Sequence, residues 1–171
     1  LRLPTAQLRT GADATREALE QGMADRPLLH VACHGFYAQG DAIEAGLRLG
    51  DAWMDLADIY ALQEAAPLVV LSGCETGRGT LHSGDDWVGL VSGFLQAGAN
   101  TVVAALWEVH DASAAVLMDD FYSGLSLGRT AAEAMADAQR RARATDPSPL
   151  RWAPFAVVGD PFYGLPARMV A

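Results

Sequence analysis

Basic residues are scarce in this chain of 171 residues: 12 Lys and Arg stand against 21 Asp and Glu, for a formal net charge of −9. Binding a phosphate backbone needs clustered cations, so the balance argues against a nucleic-acid partner. Cysteine is scarcer still. Cys33 and Cys74 are the only two, too few for a disulfide framework and without the four-ligand spacing of a structural metal site. A reducing cytoplasm is therefore the expected compartment. No apolar run approaches the ~20 residues that cross a bilayer, and no signal-peptide pattern opens the chain, so no membrane association is expected. Internal repeats and low-complexity tracts are absent as well. The first residue is Leu1 rather than Met, which fits a piece of a longer polypeptide.

What remains is the composition of a packed domain, 51% hydrophobic and 19% charged, and its length suits a single core. The segment up to Gly11 is short and Pro-interrupted, with a strand expected around Gln7 to Arg9. Asp13 or Thr15 is placed to cap a helix running to about Gln21. The apolar run from Leu28 to Cys33, closed by His34-Gly35, reads as a buried strand. Residues 36–58 carry a loop with a short hairpin, leading into a helix from about Leu56 to Gln63. Leu68 to Gly73 is the clearest buried strand, and the Gly- and Ser-rich residues 73–84 form a loop. Asp85 or Asp86 then caps a helix ended by Gly98. A third buried strand covers Thr101 to Trp107, helices fit 112–124 and 129–144, and a last strand covers Phe155 to Val158. Apolar strands alternating with helices give an α/β fold: an open, mostly parallel sheet with helices on both faces.

In such a sheet, ligands bind beyond the carboxyl ends of the strands. That rule selects His34-Gly35 after the first apolar run and Cys74-Glu75-Thr76-Gly77 after the next, 40 residues later. A cysteine thiol with a pKa near ~8.5 is mostly protonated at neutral pH, and a neighbouring histidine that takes the proton leaves a thiolate able to attack a carbonyl. The N–H of Gly35, together with that of Cys74, suits an oxyanion hole. Cys33 is the rival thiol. It lies inside the apolar run, where a free cysteine packs as a small hydrophobe, so Cys74 is the better nucleophile. By spacing alone, a buried thiol and a satisfied histidine that merely end strands fit equally well.

The ordered motifs decide further. His30-Val31-Ala32-Cys33-His34-Gly35 resembles the "HxACHG" segment of CHAT domains, and Leu71-Ser72-Gly73-Cys74-Glu75-Thr76-Gly77 resembles their "LSACETG" segment. Trp87-Val88-Gly89-Leu90, with Phe94 through Ala99, is similar to "vvGLaraFLxAGA", and Ala105 through Asp111 to "SLWpVdD". Met118, Phe121-Tyr122, Ala138-Gln139 and Trp152 through Asp160 continue in register, and Gly11 to Thr15 resembles "GeeAT". The resemblance covers about the whole chain. It implies a caspase-like cysteine protease related to separases and gingipains, with His34 as base, Cys74 as nucleophile and Gly35 in the oxyanion hole. It implies no cofactor and no metal. It also implies a bacterial cytoplasmic protein, fused to or partnered with TPR-like helical repeats that hold it inactive.

In the related separases, the aspartate of a similar "LWDVTD" segment meets the arginine before the cleaved bond. The matching residue is Asp111, and a carboxylate pairing with guanidinium suits that role; capping the helix at 112 is the alternative. His110 departs from the usual residue at its position. Glu75 and Trp107 are further candidates for substrate contact, against a solvent-facing or loop-orienting role for Glu75 and core packing for Trp107 and Trp152. His82 belongs to the loop after Cys74, and Arg140, Arg141 and Arg143 read as a solvated helix face.

The resemblance further implies a strand and helix ahead of the "GeeAT"-like segment, the strand central in the sheet. No such strand is found before Leu1, so the domain is expected to lack that part, with an upstream fragment packing beside the His34 strand. The function expected is that of an endopeptidase cutting a protein substrate after a basic residue. The alternatives are a non-catalytic interaction or scaffold domain of the same fold and a cysteine hydrolase of small molecules.

Overall fold

The computed structural model describes residue 3 and residues 6–33, 35–36, 46–72, 85–107 and 109–166. In chain order the elements are α1 (Arg16–Asp25), β1 (Leu28–Val31), β2 (Gly35–Phe36), β3 (Gly46–Arg48), β4 (Trp53–Asp55) and α2 (Leu56–Tyr60). They continue with β5 (Leu68–Leu71), α3 (Asp85–Gln96), β6 (Thr101–Ala105), α4 (Asp111–Ser126), α5 (Ala131–Thr145), α6 (Pro149–Trp152) and β7 (Phe155–Gly159). Four strands form one sheet in the order β1-β5-β6-β7, and β2-β3-β4 form a second, small one. The first three strands of the large sheet run parallel, whereas β7 is antiparallel to β6.

Each position of β5 and β6 is buried, because a central parallel strand is covered on both faces and alternate side chains enter opposite cores. Leu68 and Val70 of β5, with Val103 and Ala105 of β6, pack against Leu117, Phe121 and Leu125 of α4 and Ala134 and Met135 of α5. Val69 and Leu71, with Val102 and Ala104, turn the other way, onto Met23 of α1, Ile59 of α2 and Val91 and Phe94 of α3. The chain therefore has the expected α/β architecture, a mostly parallel sheet with helices on both faces, consistent with a caspase-like fold.

Local chemistry sets the helix ends. The Thr15 hydroxyl accepts from the Ala18 N–H at 3.1 Å and starts α1, which runs on to Asp25. Reciprocal side-chain-to-backbone bonds join Asp55 with Asp58 at the start of α2 and Thr130 with Glu133 at the start of α5, each satisfying two orphan N–H groups. Gly98 takes φ +108° just past α3, a left-handed turn that glycine adopts without steric cost.

Several expectations need correction. Gln7 to Arg9 form no strand. These residues are exposed and Leu8 is 70% accessible, since one leucine between polar neighbours has no apolar face to bury. Helix α3 spans Asp85–Gln96, with the cap expected at Asp85 or Asp86 adjoining residues outside those described, and α2 stops at Tyr60, short of Gln63. The expected hairpin in residues 36–58 is β3 with β4, extended by the unforeseen β2. The four-residue α6 was also not anticipated.

Candidate active site

The carboxyl edge of the large sheet is built from three parallel strand ends. Val31 of β1 and Leu71 of β5 are register partners, as are Leu71 and Ala104 of β6. One residue beyond the pair, the Ser72 N–H donates to the Val31 carbonyl at 3.1 Å and draws the two strand ends together. His34, Cys74 and Glu75 lie outside the described residues, as does His82. Gly35 is described through its backbone, which enters β2 and pairs antiparallel with Leu47.

Cys33 is half-buried and packs against the core on the α3 side of the sheet. Burial pushes its thiol up to about 11, against a smaller opposing effect of a hydrogen bond with the Arg48 backbone. A thiol in that state is protonated at neutral pH and a poor nucleophile.

The segment after β6 supplies the other candidates. The Leu106 N–H donates to the Pro154 carbonyl at 2.7 Å, and half-buried Trp107 follows. The indole Nε1–H of Trp107 is enclosed and has no hydrogen-bond partner among the described residues, an uncommon condition for a buried donor. Asp111 is exposed and is the first residue of α4, whose N-cap is His110. Asp111 therefore does not cap the helix. Its carboxylate sits in the first turn, where the helix dipole favours negative charge, and it is open to a cationic group.

Trp152 has a structural account. It donates to the Pro147 carbonyl at 3.2 Å and lies under the guanidinium of Arg143, 5.3 Å from the ring centroid. Arg140 pairs with Asp137, and Arg141 with Asp120 at 3.0 Å, so this helix face is charge-balanced and solvated.

A polar chain just below the edge had no assigned role at the level of sequence. Nδ1 of His30, in the middle of β1, is 2.7 Å from the hydroxyl of Tyr122 on α4. Nε2 of the same ring is 2.5 Å from Oγ of Ser72. Burial lowers the His30 pKa to about 4, so the imidazole is neutral near pH 7. Burial likewise pushes the Tyr122 phenol upward, keeping it protonated. The available signal was a histidine inside an apolar strand, since a buried polar ring needs partners.

Among the described residues, no group of three or more His, Cys, Asp or Glu side chains is placed to hold a metal ion. No helix among them is long and apolar enough to cross a membrane.

Fold and edge together define an α/β domain of caspase-like architecture. The sequence profile of the CHAT domain matches residues 1–160, and the chain belongs to the CHAT domain family. It is similar to tetratricopeptide repeat protein 28 of Mus musculus, 32% identical over 114 residues, which is 66% of this chain and 5% of that protein. The Homo sapiens protein of the same name is 29% identical over 125 residues, 72% of this chain and again 5% of the relative. The chain thus spans about one twentieth of the length of these curated relatives.

Proposed function

We propose that the chain is a cysteine endopeptidase domain in which Cys74 is the nucleophile and His34 the base. The register carries this reading. Val31 and Leu71 are paired neighbours in parallel strands, and His34 and Cys74 each follow by three residues in sequence. Equal sequence offsets from a paired rung support a reading in which both residues follow the same sheet edge, where an open parallel sheet binds its ligands.

In the proposed reaction the imidazole of His34 takes the Cys74 proton, and the thiolate sulfur bonds to the scissile carbonyl carbon. The negative charge moving to the carbonyl oxygen is stabilised by the N–H groups of Gly35 and Cys74. His34 returns the proton to the leaving amine, and water then hydrolyses the thioester. Asp111 receives a basic side chain before the cut bond, supported by its exposed carboxylate at the start of α4. Glu75 and Trp107 complete the cleft, and the indole N–H of Trp107, without a partner among the described residues, suits a substrate carbonyl. This chemistry calls for no cofactor, and a thiol nucleophile fits a reducing cytoplasm.

A second proposal concerns partners. Strand β1 pairs on one side alone among the described residues, which supports an upstream segment of a longer chain packing beside it. Relatives named for tetratricopeptide repeats support a helical-repeat region that regulates the domain. The same names favour, as a second reading, a non-catalytic interaction domain.

Labelling with an arginine-based electrophilic peptide separates these readings. The protease reading expects labelling that is lost in Cys74→Ala and His34→Ala and kept in Cys33→Ala. Retention in Asp111→Asn with an arginine probe would remove the assigned specificity. Labelling by small esters with no peptide cleavage indicates a small-molecule hydrolase. No labelling, even with the repeat region and its triggers present, indicates the interaction domain.

A further inference from the structure

The hydrogen-bonded chain Tyr122–His30–Ser72 joins α4, β1 and the residue that follows β5, through contacts separated by 92 and 42 residues in sequence. Its last member stands two residues before Cys74. Its middle member stands four residues before His34 on the neighbouring strand. We propose that Tyr122, His30 and Ser72 are positioning residues that clamp the end of β5 to β1 and α4 and thereby set where the Cys74 segment leaves the sheet. This deepens the reading of Cys74 as nucleophile and rests on it.

The direction of the hydrogen bonds follows from satisfaction of buried donors. The Tyr122 hydroxyl is buried and its one partner among the described residues is His30, so its hydrogen goes to Nδ1. A neutral imidazole carries one N–H, and here that hydrogen sits on Nε2 and is donated to Oγ of Ser72. The Ser72 backbone N–H is committed to the Val31 carbonyl. Ser72 is therefore fixed by main chain and side chain alike, both times to β1.

A serine touching a histidine also suggests a nucleophile and its base, and the same details argue against that. A ring that already bears hydrogen on Nε2 cannot accept the serine proton. An imidazole whose pKa is lowered to about 4 is also a weak base near neutrality. Among the described residues no charged group assists the ring, and burial is the cause of the shift. Positioning is the role that remains.

The test measures alkylation of Cys74 by iodoacetamide in the full chain across pH, with peptides quantified by mass spectrometry and Cys33 as internal control. Ser72→Ala and Tyr122→Phe are expected to slow Cys74 alkylation at pH 7 about tenfold and leave Cys33 unchanged. Ser72→Thr, which keeps the hydroxyl, is expected within about twofold of wild type. Folded Ser72→Ala and Tyr122→Phe proteins with a wild-type Cys74 profile would overturn the proposal. So would equal slowing at both cysteines, which marks general loosening. Failure of the functional reading is seen elsewhere, in a Cys74 profile that His34→Ala leaves unmoved. If the variants do not fold, nitrogen NMR of the His30 ring in the wild-type chain decides. A neutral Nε2–H tautomer at pH 7 upholds the relay, whereas an imidazolium or the Nδ1–H tautomer sinks it.

Discussion

His30 shows what a single residue contributes when it is buried with no charge partner among the described residues. Its folded pKa, lowered from 6.5 to about 4, lies below the unfolded value. The unfolded chain therefore binds the proton more readily, and stability falls as pH drops through the interval between those two values. The shift corresponds to at most about 3 kcal/mol, and less where water reaches the ring. Unfolding by urea at a series of pH values is expected to show this loss between about pH 6.5 and pH 4 in the wild type. The slope over that interval should be smaller in His30→Gln. Equal slopes in the two proteins would assign the acid sensitivity to carboxylates instead. Cys33 shows the opposite sign, because burial of a thiol raises its pKa and disfavours the thiolate. The packing of Cys33 as a small hydrophobe was legible from sequence, since it stands in an apolar run. The polar relay was not, because its two contacts join residues 42 and 92 positions apart and only the folded sheet brings them together.

At the scale of elements, α4 matters most, since it carries Asp111 at one end and Tyr122 in its interior. Its contact with α5 depends on Gly124, where an added Cβ would lie 2.8 Å from the Ala134 Cβ and 3.1 Å from the Ala134 Cα. Backbone on the facing helix cannot swing aside as a flexible side chain does. Alanine is favoured over glycine within a helix by about 1 kcal/mol, but forcing a well-packed contact apart costs about 1–3 kcal/mol. Gly124→Ala is thus expected to lower unfolding free energy by about 1–2 kcal/mol, read from the urea midpoint; a gain in stability would show that the two helices part freely. The sequence revealed the elements whose signal is continuous. Strands β5 and β6 are apolar at nearly every position, and α1 and α5 start at caps with recognisable side chains. It misled where the pattern was brief, as with the single Leu8 taken for a strand. It stayed silent on the two-residue β2 and the four-residue α6, which are too short to show a period and exist through tertiary contacts.

For the whole molecule the open question is what lies beside β1. Residues Leu28, Leu29 and His30 are half-buried, whereas every position of β5 is buried. The Leu68 N–H donates to the Pro27 carbonyl and the Ser72 N–H to the Val31 carbonyl. In a parallel ladder, alternate residues face one neighbour, so Leu28 and His30 turn their peptide groups away from β5. Those groups meet no backbone partner among the described residues, the condition that invites another strand. With the proposed upstream strand in place, the backbone of His30 is tied on its far side, and the relay to Ser72 gains a second anchor. Hydrogen exchange is therefore expected to be fast at the Leu28 and His30 amides in the isolated 171-residue chain. In a longer parent those two amides should become protected, with little change at Leu29 and Val31, which already face β5. Peptide labelling at Cys74 should rise in the same longer protein. If the isolated chain is monomeric, stable and fully active, with Leu28 and His30 already protected, β1 needs no neighbour and the upstream strand has no part in assembling the edge.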